Sequence, residues 1–327
     1  MRYFSRKVGF YLLALWGAVT LNFFLPRFIP GNPVEVLLAR MSTTGNPPPG
    51  EYKVLSSVLG VGSGNLFDQY WHYLRQLSKL NLGVSITEFP TPVTHILAQT
   101  LPWTIILVGT ATVIAFLIGT ALGALAGWKR SRFLNNLLPV TTFLTATPYF
   151  WLALVFLYLF GVVLHYLPLN GGYDPTLNIG WSGSFIWSAI QHSVLPGATI
   201  VLAQLGGWML SMRNMTLTTL SEDYVWAAEA KGIRPRRVLL GYAARNAILP
   251  SVTGFAISLG FVVSGSIIME IVFSYPGIGY TLLQAVQNDD YALMQGIFLV
   301  ICLVVLGANL LVDMLYGFID PRTRQAR

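Results

Sequence analysis

The sequence predicts an all-α integral membrane protein with six transmembrane helices. Three observations lead there. Only 10% of the 327 residues are charged and 54% are hydrophobic, whereas a soluble domain carries about 25% charged residues. The charges are also segregated, leaving several long intervals with none or one, and about 20 apolar residues in a helix cross a hydrocarbon core of about 30 Å. Strict apolar/polar alternation, the mark of a membrane barrel, is missing, and a helix satisfies all its backbone groups within one segment.

Six segments meet the length requirement. Val8 to Phe28 has no charge before Arg27, and Leu101 to Trp128 lies in the charge-free interval between Glu88 and Lys129. Leu137 to Leu164 lies between Arg132 and Asp174, and Val194 to Met212 ends at Arg213. Pro250 to Phe273 contains one charge, Glu270, and Tyr291 to Tyr316 contains one, Asp313. The N-terminal apolar run resembles a signal peptide, but it is long and no small-x-small site follows before Pro26, so it reads as a retained first span.

Orientation follows from Lys and Arg. With the N-terminus inside, segments 1–7, 129–136, 213–249 and 317–327 carry fifteen of the twenty basic residues. The other five lie between Arg27 and Lys79, while 165–193 and 274–290 hold none. This bias puts both termini in the cytoplasm. It also accounts for the net charge of +7 without nucleic acid, for which no basic face on a soluble domain is visible. The chain then divides into an N-terminal transmembrane helix (1–28), an extracytoplasmic segment (29–100), a five-helix core (101–320) and a cytoplasmic tail (321–327). The segment 29–100 opens on Pro30, Gly31 and Pro33, and its middle, TTGNPPPGEY, is turn-rich. Phe67, Tyr70, Leu74 and Leu77 recur at a helical period. They predict a helix lying on the outer membrane surface or on the bundle, more an anchor than a recognition element.

Catalytic patterns are missing, and no catalytic or metal-binding residue is assigned. GVGSGN near Gly60 lacks the lysine and helix of a phosphate loop. His72, His95, His165 and His192 have no metal-ligand spacing. Glu270 and Asp313, the only acids in predicted spans, lie near helix ends on opposite sides of the membrane, which argues against a catalytic pair. The single cysteine, Cys302, excludes an internal disulfide. Gly119, Gly123 and Gly127 share one helix face and predict close packing of a neighbour. Glu270, Gln204, Trp208 and Asn309 are candidate pathway or gate residues; a carboxylate bonding backbone groups or a neighbour at a helix end is the other reading of Glu270 and comes ahead of a gate, while helix–helix hydrogen bonding explains a lone amide equally well. Tyr149, Trp151, Tyr166, Trp181 and Trp187 fit an interfacial belt.

Residues 221–250 differ from the rest. Lys231, Arg234, Arg236, Arg237 and Arg245 follow Glu222, Asp223 and Glu229. Ala227 and Ala228 offer a short helix a small, closely approachable face. Gly232 permits a positive φ and a sharp exit, and Pro235 suits the first turn of a second helix. A helix–turn–helix along the inner surface is expected. On composition alone, a solvated basic loop held by anionic lipid fits as well.

This stretch resembles the EAA loop of ABC-importer permeases, especially the dipeptide/oligopeptide/nickel branch. The matching residues include Asp223, Tyr224, Ala227, Ala228, Lys231, Gly232, Arg236, Arg245, Asn246 and Pro250. Further matches run the length of the chain: PGNPV from Pro30, then Gly83, Ser85, Pro92 and Pro102, then Leu167 to Gly171. EIVFSYPGIG from Glu270, Asp290–Tyr291 and the closing Asp320-Pro321-Arg322 complete them. Trp226 stands where the general pattern has glutamate, and no role passes to Glu222 or Glu229.

The resemblance implies an inner-membrane (plasma-membrane) permease that pairs with a second, related permease, two ATP-binding subunits and an extracytoplasmic solute-binding protein. ATP and Mg would reside in the ATPase partners, with no cofactor in this chain. Asp223, Tyr224, Ala227, Ala228, Lys231, Gly232, Arg236 and Pro250 would couple to an ATPase. Oligopeptides are the expected solute class, with oligosaccharide, nickel and glutathione also found in the branch. The alternative is an ion-coupled secondary transporter, which predicts acids near the bilayer midplane and broken helices in both halves.

Overall fold

The computed structural model describes residues 2–28, 34–35, 38, 65–128, 132–260, 262 and 267–319. The PGNPV entry, the turn-rich stretch after it and the closing Asp-Pro-Arg lie wholly or largely outside the described residues. Regular structure among the described residues is helical, apart from an isolated antiparallel bridge between Val84 and Pro92. The helices are α1 (Arg2–Phe28), α2 (Leu66–Leu77), α3 (Val93–Trp128), α4 (Arg132–Ala146), α5 (Tyr149–Phe156) and α6 (Gly183–Leu220). They continue with α7 (Asp223–Ala230), α8 (Pro235–Val238), α9 (Ala244–Gly260), α10 (Ile267–Val272), α11 (Ile278–Gln287) and α12 (Tyr291–Ile319).

Four stretches, Arg6–Phe24, Val93–Trp128, Gly183–Leu220 and Tyr291–Leu310, are long and apolar enough to cross a membrane. Asn136–Ala146 and Tyr149–Val163 make a fifth if they form one crossing, bent by 102°. The bend falls at Thr147–Pro148, where proline disfavours helical geometry in the residue before it. Beyond Phe156 the chain widens into π-type turns to Val163, and the Leu164 N–H donates to Leu159 O at 2.9 Å. The expected span from Pro250 to Phe273 is helical over its described ends, within α9 and α10, while 261 and 263–266 lie outside the described residues. The span expected over Val194 to Met212 belongs to the longer α6. Its N-terminus is capped by Ser182 Oγ, which accepts from the Phe185 N–H at 3.3 Å.

The chain forms two compact units, 1–104 with 276–311 and 105–275 with 312–327. In the first, α2 forms where the period predicts it. Tyr70, Tyr73, Leu74 and Leu77 are half-buried, while Phe67 and Trp71 are exposed. The Tyr70 and Thr20 hydroxyls hydrogen-bond at 2.7 Å, and the Tyr70 and Tyr73 rings lie 5.1 and 5.6 Å from Phe23. Asn22 and Gln295 exchange amide bonds: Asn22 Nδ2 donates to Gln295 O at 2.8 Å, and Gln295 Nε2 donates to Asn22 O at 3.0 Å.

The corner between α11 and α12 is tight. Asp289 adopts φ +53° as the Asp289 N–H bonds Val286 O at 3.3 Å and the Asp290 N–H bonds Ala285 O at 2.8 Å. That pairing closes the end of α11. Asp290, fully buried, then caps α12 by accepting from the Leu293 N–H at 3.0 Å. Its other oxygen accepts from the Thr87 N–H at 2.8 Å and from the Ser85 hydroxyl. One carboxylate thus clasps the loop before α3 to the start of α12.

In the second unit, the glycine face of α3 packs on α6 as the spacing predicts. A Cβ at Gly119 would meet Trp208 Cβ at 2.6 Å, and one at Gly127 would meet Thr216 Cβ at 2.8 Å. One at Gly123 would meet Met212 Cβ at 2.9 Å and Arg213 N at 3.1 Å. On another side of α6, Gly206 lies against Thr141 and Thr145 of α4.

Candidate functional site

The loop after α6 builds a small domain-like hairpin. The dipeptide Ser221-Glu222 breaks the helix, and Glu222, with extended backbone, starts α7. The end of α7 is closed by a paired hydrogen-bond motif. The Gly232 N–H bonds Glu229 O at 2.8 Å and the Ile233 N–H bonds Ala228 O at 3.3 Å, with Gly232 at φ +72°. Pro235 occupies the first turn of α8. Wide turns over Leu239–Ala243 carry the chain into α9, whose first turns present Arg245 and Asn246 to solvent.

The hairpin has its own core. Val225, Ala228 and Val238 are buried together, with Trp128, Leu220, Ile233 and Tyr242 packed around them. The Asn246 amide donates to Tyr224 Oη at 2.9 Å, bracing α7 against α9 from the outside. This corrects one expectation. Ala228 does not belong to an exposed small face, because it is 3% exposed and turned into the hairpin core. Adjacent residues on a helix point about 100° apart, so Ala227 faces solvent where Ala228 does not. Asp223, Tyr224, Trp226, Lys231, Gly232, Arg236 and Pro250 are likewise exposed, Trp226 to 68%. A Cβ at Gly232 would meet nothing within 4 Å. Ala227, Trp226, Lys231 and Gly232 therefore offer a partner an uncommitted surface.

Of the four polar and aromatic pathway candidates, Gln204, Trp208 and Glu270 belong to the second unit and Asn309 to the first. Gln204 and Trp208 lie one turn apart on α6, both half-buried. Gln204 Nε2 donates to Thr112 Oγ1 at 3.4 Å, an interhelical bond. Trp208 joins Phe116 and Phe255 in an aromatic group. Its ring lies 5.3 Å from Phe116 and 6.4 Å from Phe255, and the two phenyl rings stack at 4.3 Å. Sequence reasoning missed Phe116, Phe255 and Thr112, because a phenylalanine or threonine in an apolar run has no signature of its own.

Glu270 is fully buried, with 0% exposure. Its carbonyl accepts from the Tyr275 N–H at 2.8 Å, closing α10 with Ser274 at φ +47°. The Leu167–Gly171 loop meets the same place: the Gly171 N–H donates to Phe273 O at 2.9 Å, and the Tyr275 and Ser193 hydroxyls bond at 3.0 Å. Asn309 is half-buried on α12 of the first unit.

The histidines have local partners. His72 bonds Gln76 at 2.6 Å, His95 bonds Gln99 at 3.0 Å, and His192 bonds Ser188 O at 2.8 Å. No metal-competent cluster occurs among the described residues. Asp174, on the exposed loop before α6, has its carboxyl held below the usual range by the N–H and hydroxyl of Thr176.

The sequence matches a transport family. Residues 119–325 match the model of the binding-protein-dependent transport system inner membrane component. The chain is 34% identical, over 100% of both chains, to the di/tripeptide transport system permease protein DppB of Pseudomonas aeruginosa. It is 28% identical, over 100% of both, to the dipeptide transport system permease protein DppB of Escherichia coli. It is also 28% identical, over 98% of each, to the oligopeptide transport system permease protein AppB of Bacillus subtilis. The chain belongs to the family of binding-protein-dependent transport system inner membrane components.

Proposed function

We propose that this chain is the permease subunit of an ATP-driven importer of peptides. It forms half of the translocation pathway and couples to cytoplasmic ATPases through residues 221–250. The observation that carries the reading is the end-to-end similarity to permease components whose names specify di/tripeptide, dipeptide and oligopeptide transport. Peptides stand ahead of oligosaccharide, nickel and glutathione on those names.

The functional unit comprises a second, related permease, two ATP-binding subunits and an extracytoplasmic binding protein. ATP and Mg are held by the ATPases, and this chain needs no cofactor. The chain crosses the membrane six times with both termini in the cytoplasm, the arrangement the basic residues favour. In that orientation the α7–α8 hairpin lies on the ATPase side. Its internal core and its brace to α9 let it transmit a push as one body. Net coupling requires that it bind the ATPases differently in their two states, because equal affinity shifts nothing. Gln204, Trp208, Glu270 and Asn309 remain proposed pathway or gate residues. Glu270, being fully buried, becomes accessible to a solute only if α10 moves.

Cysteine cross-linking in the assembled transporter tests the coupling assignment. Ala227→Cys, on the exposed face, is expected to cross-link to an ATPase subunit, whereas Ala228→Cys, buried in the hairpin, is not. Equal cross-linking at the two positions, or none at Ala227→Cys and its exposed neighbours Trp226→Cys and Lys231→Cys, contradicts docking through α7.

A further inference from the structure

An open groove in the second unit runs between α4 and α6, lined by Leu138, Pro139, Thr142, Leu210 and Arg213. We infer that it is a site for one anionic phospholipid, whose phosphate meets Arg213 while an acyl chain lies along Leu138, Pro139 and Leu210.

The position of Arg213 is fixed. Its backbone is pinned by α3, with its N and O within 3.1 and 3.0 Å of where Cβ atoms at Gly123 and Gly127 would stand. The side chain borders the groove, and its Nε is buried with no hydrogen-bond partner among the described residues. A buried guanidinium N–H without an acceptor is costly, and the described lining residues include no carboxylate. Phosphate oxygens are the natural acceptors for its planar fork of donors.

Among the described lining residues only Thr142 and Arg213 are polar, and both helices carry exposed apolar side chains. Leu210 is 40% exposed, and Val140 and Phe143 on α4 are 54% and 68% exposed. A lipid supplies an anion and a hydrocarbon chain in one molecule, matching the charge at one end and the apolar wall beside it. Basic pockets between membrane helices on the cytoplasmic side bind anionic headgroups in this way. Assignment to the cytoplasmic leaflet rests on the proposed orientation.

Native mass spectrometry of the full-length chain, purified without ATPases, tests the site. The probes are phosphatidylglycerol and phosphatidylcholine with identical acyl chains. Wild type is expected to retain phosphatidylglycerol about tenfold over phosphatidylcholine. Arg213→Gln should abolish the preference and Arg213→Lys keep part of it. Leu210→Trp, which fills the groove without touching the charge, should lower retention of both lipids and carries the test if Arg213→Gln misfolds. Three results overturn the inference: equal retention of the two lipids by wild type, an unchanged preference in a folded Arg213→Gln, or unchanged retention in Leu210→Trp. Competition by inorganic phosphate without the lipid chain assigns the arginine to a free anion. Loss of the bound lipid on pairing with the second permease assigns the groove to that subunit. Because ATPases are absent, failure here leaves the coupling reading intact. Labelling of Asn214→Cys by an impermeant reagent from the extracytoplasmic face separately overturns the orientation.

Discussion

Gly232 is the position where conformation and contact separate most cleanly. Its φ of +72° lies in the left-handed region, and a Cβ there would meet nothing within 4 Å. Substitution therefore introduces no clash within the chain, only backbone strain of about 1–2 kcal/mol for an ordinary L-residue. Asparagine tolerates this region better, and a β-branched residue tolerates it worst. The strain acts on the motif that closes α7, in which Gly232 and Ile233 donate to Glu229 and Ala228. In detergent, the purified permease should lose little thermal stability with Gly232→Asn, more with Gly232→Ala and most with Gly232→Val. ATP-driven uptake in proteoliposomes should follow the same order if the turn sets the coupling geometry. Gly232→Asp, compact but charged, should weaken ATPase docking and uptake while leaving membrane insertion intact. Wild-type uptake by both Gly232→Val and Gly232→Asp refutes the role of this turn in coupling.

Other consequences are local. Gly123→Leu overpacks the α3–α6 contact and should destabilise the chain by about 1–3 kcal/mol or more, whereas Gly207→Ala, with nothing within 4 Å of its Cβ, should be nearly neutral; thermal unfolding in detergent separates them. Asp290→Ala strands the N–H groups of Thr87 and Leu293 and should cost about 1–3 kcal/mol per unsatisfied group, read as earlier protease cleavage between Gly83 and Pro92. Ser274→Gly relieves a positive φ and should raise thermal stability by about 1 kcal/mol. The Asp174 carboxyl is depressed in the folded chain, so the stability it contributes is present above its unfolded value of 3.8 and is lost as pH falls through the lower folded value. Hydrogen exchange at Thr176 should therefore be unaffected by Asp174 ionisation at neutral pH, and loss of its protection should appear only in acid.

The parts of the fold legible in the sequence are those set by local chemistry. Charge-free runs mark the apolar helices, Gly232 and Pro235 punctuate the hairpin, and the Gly119–Gly123–Gly127 spacing marks a packed face. Tyr70, Leu74 and Leu77 give α2 its inward side. What was not legible depends on partners distant in sequence. Whether Ala227 or Ala228 faces inward is decided by Val238, ten residues on. The clasp at Asp290 needs Ser85 and Thr87, some two hundred residues away. α6 runs beyond the apolar span Val194 to Met212 at both ends, and Arg213 closes that span without ending the helix. Trp226, at the position where the general pattern has an acid, is exposed on α7, and nothing in the chain's own packing explains it.

The most direct measurement is uptake by proteoliposomes containing this chain, its paired permease, the two ATP-binding subunits and the binding protein. Peptide accumulation should require ATP inside the cytoplasmic-facing compartment and cease when the ATP-binding subunits are omitted. Accumulation driven by an ion gradient through this chain without those subunits contradicts the reading.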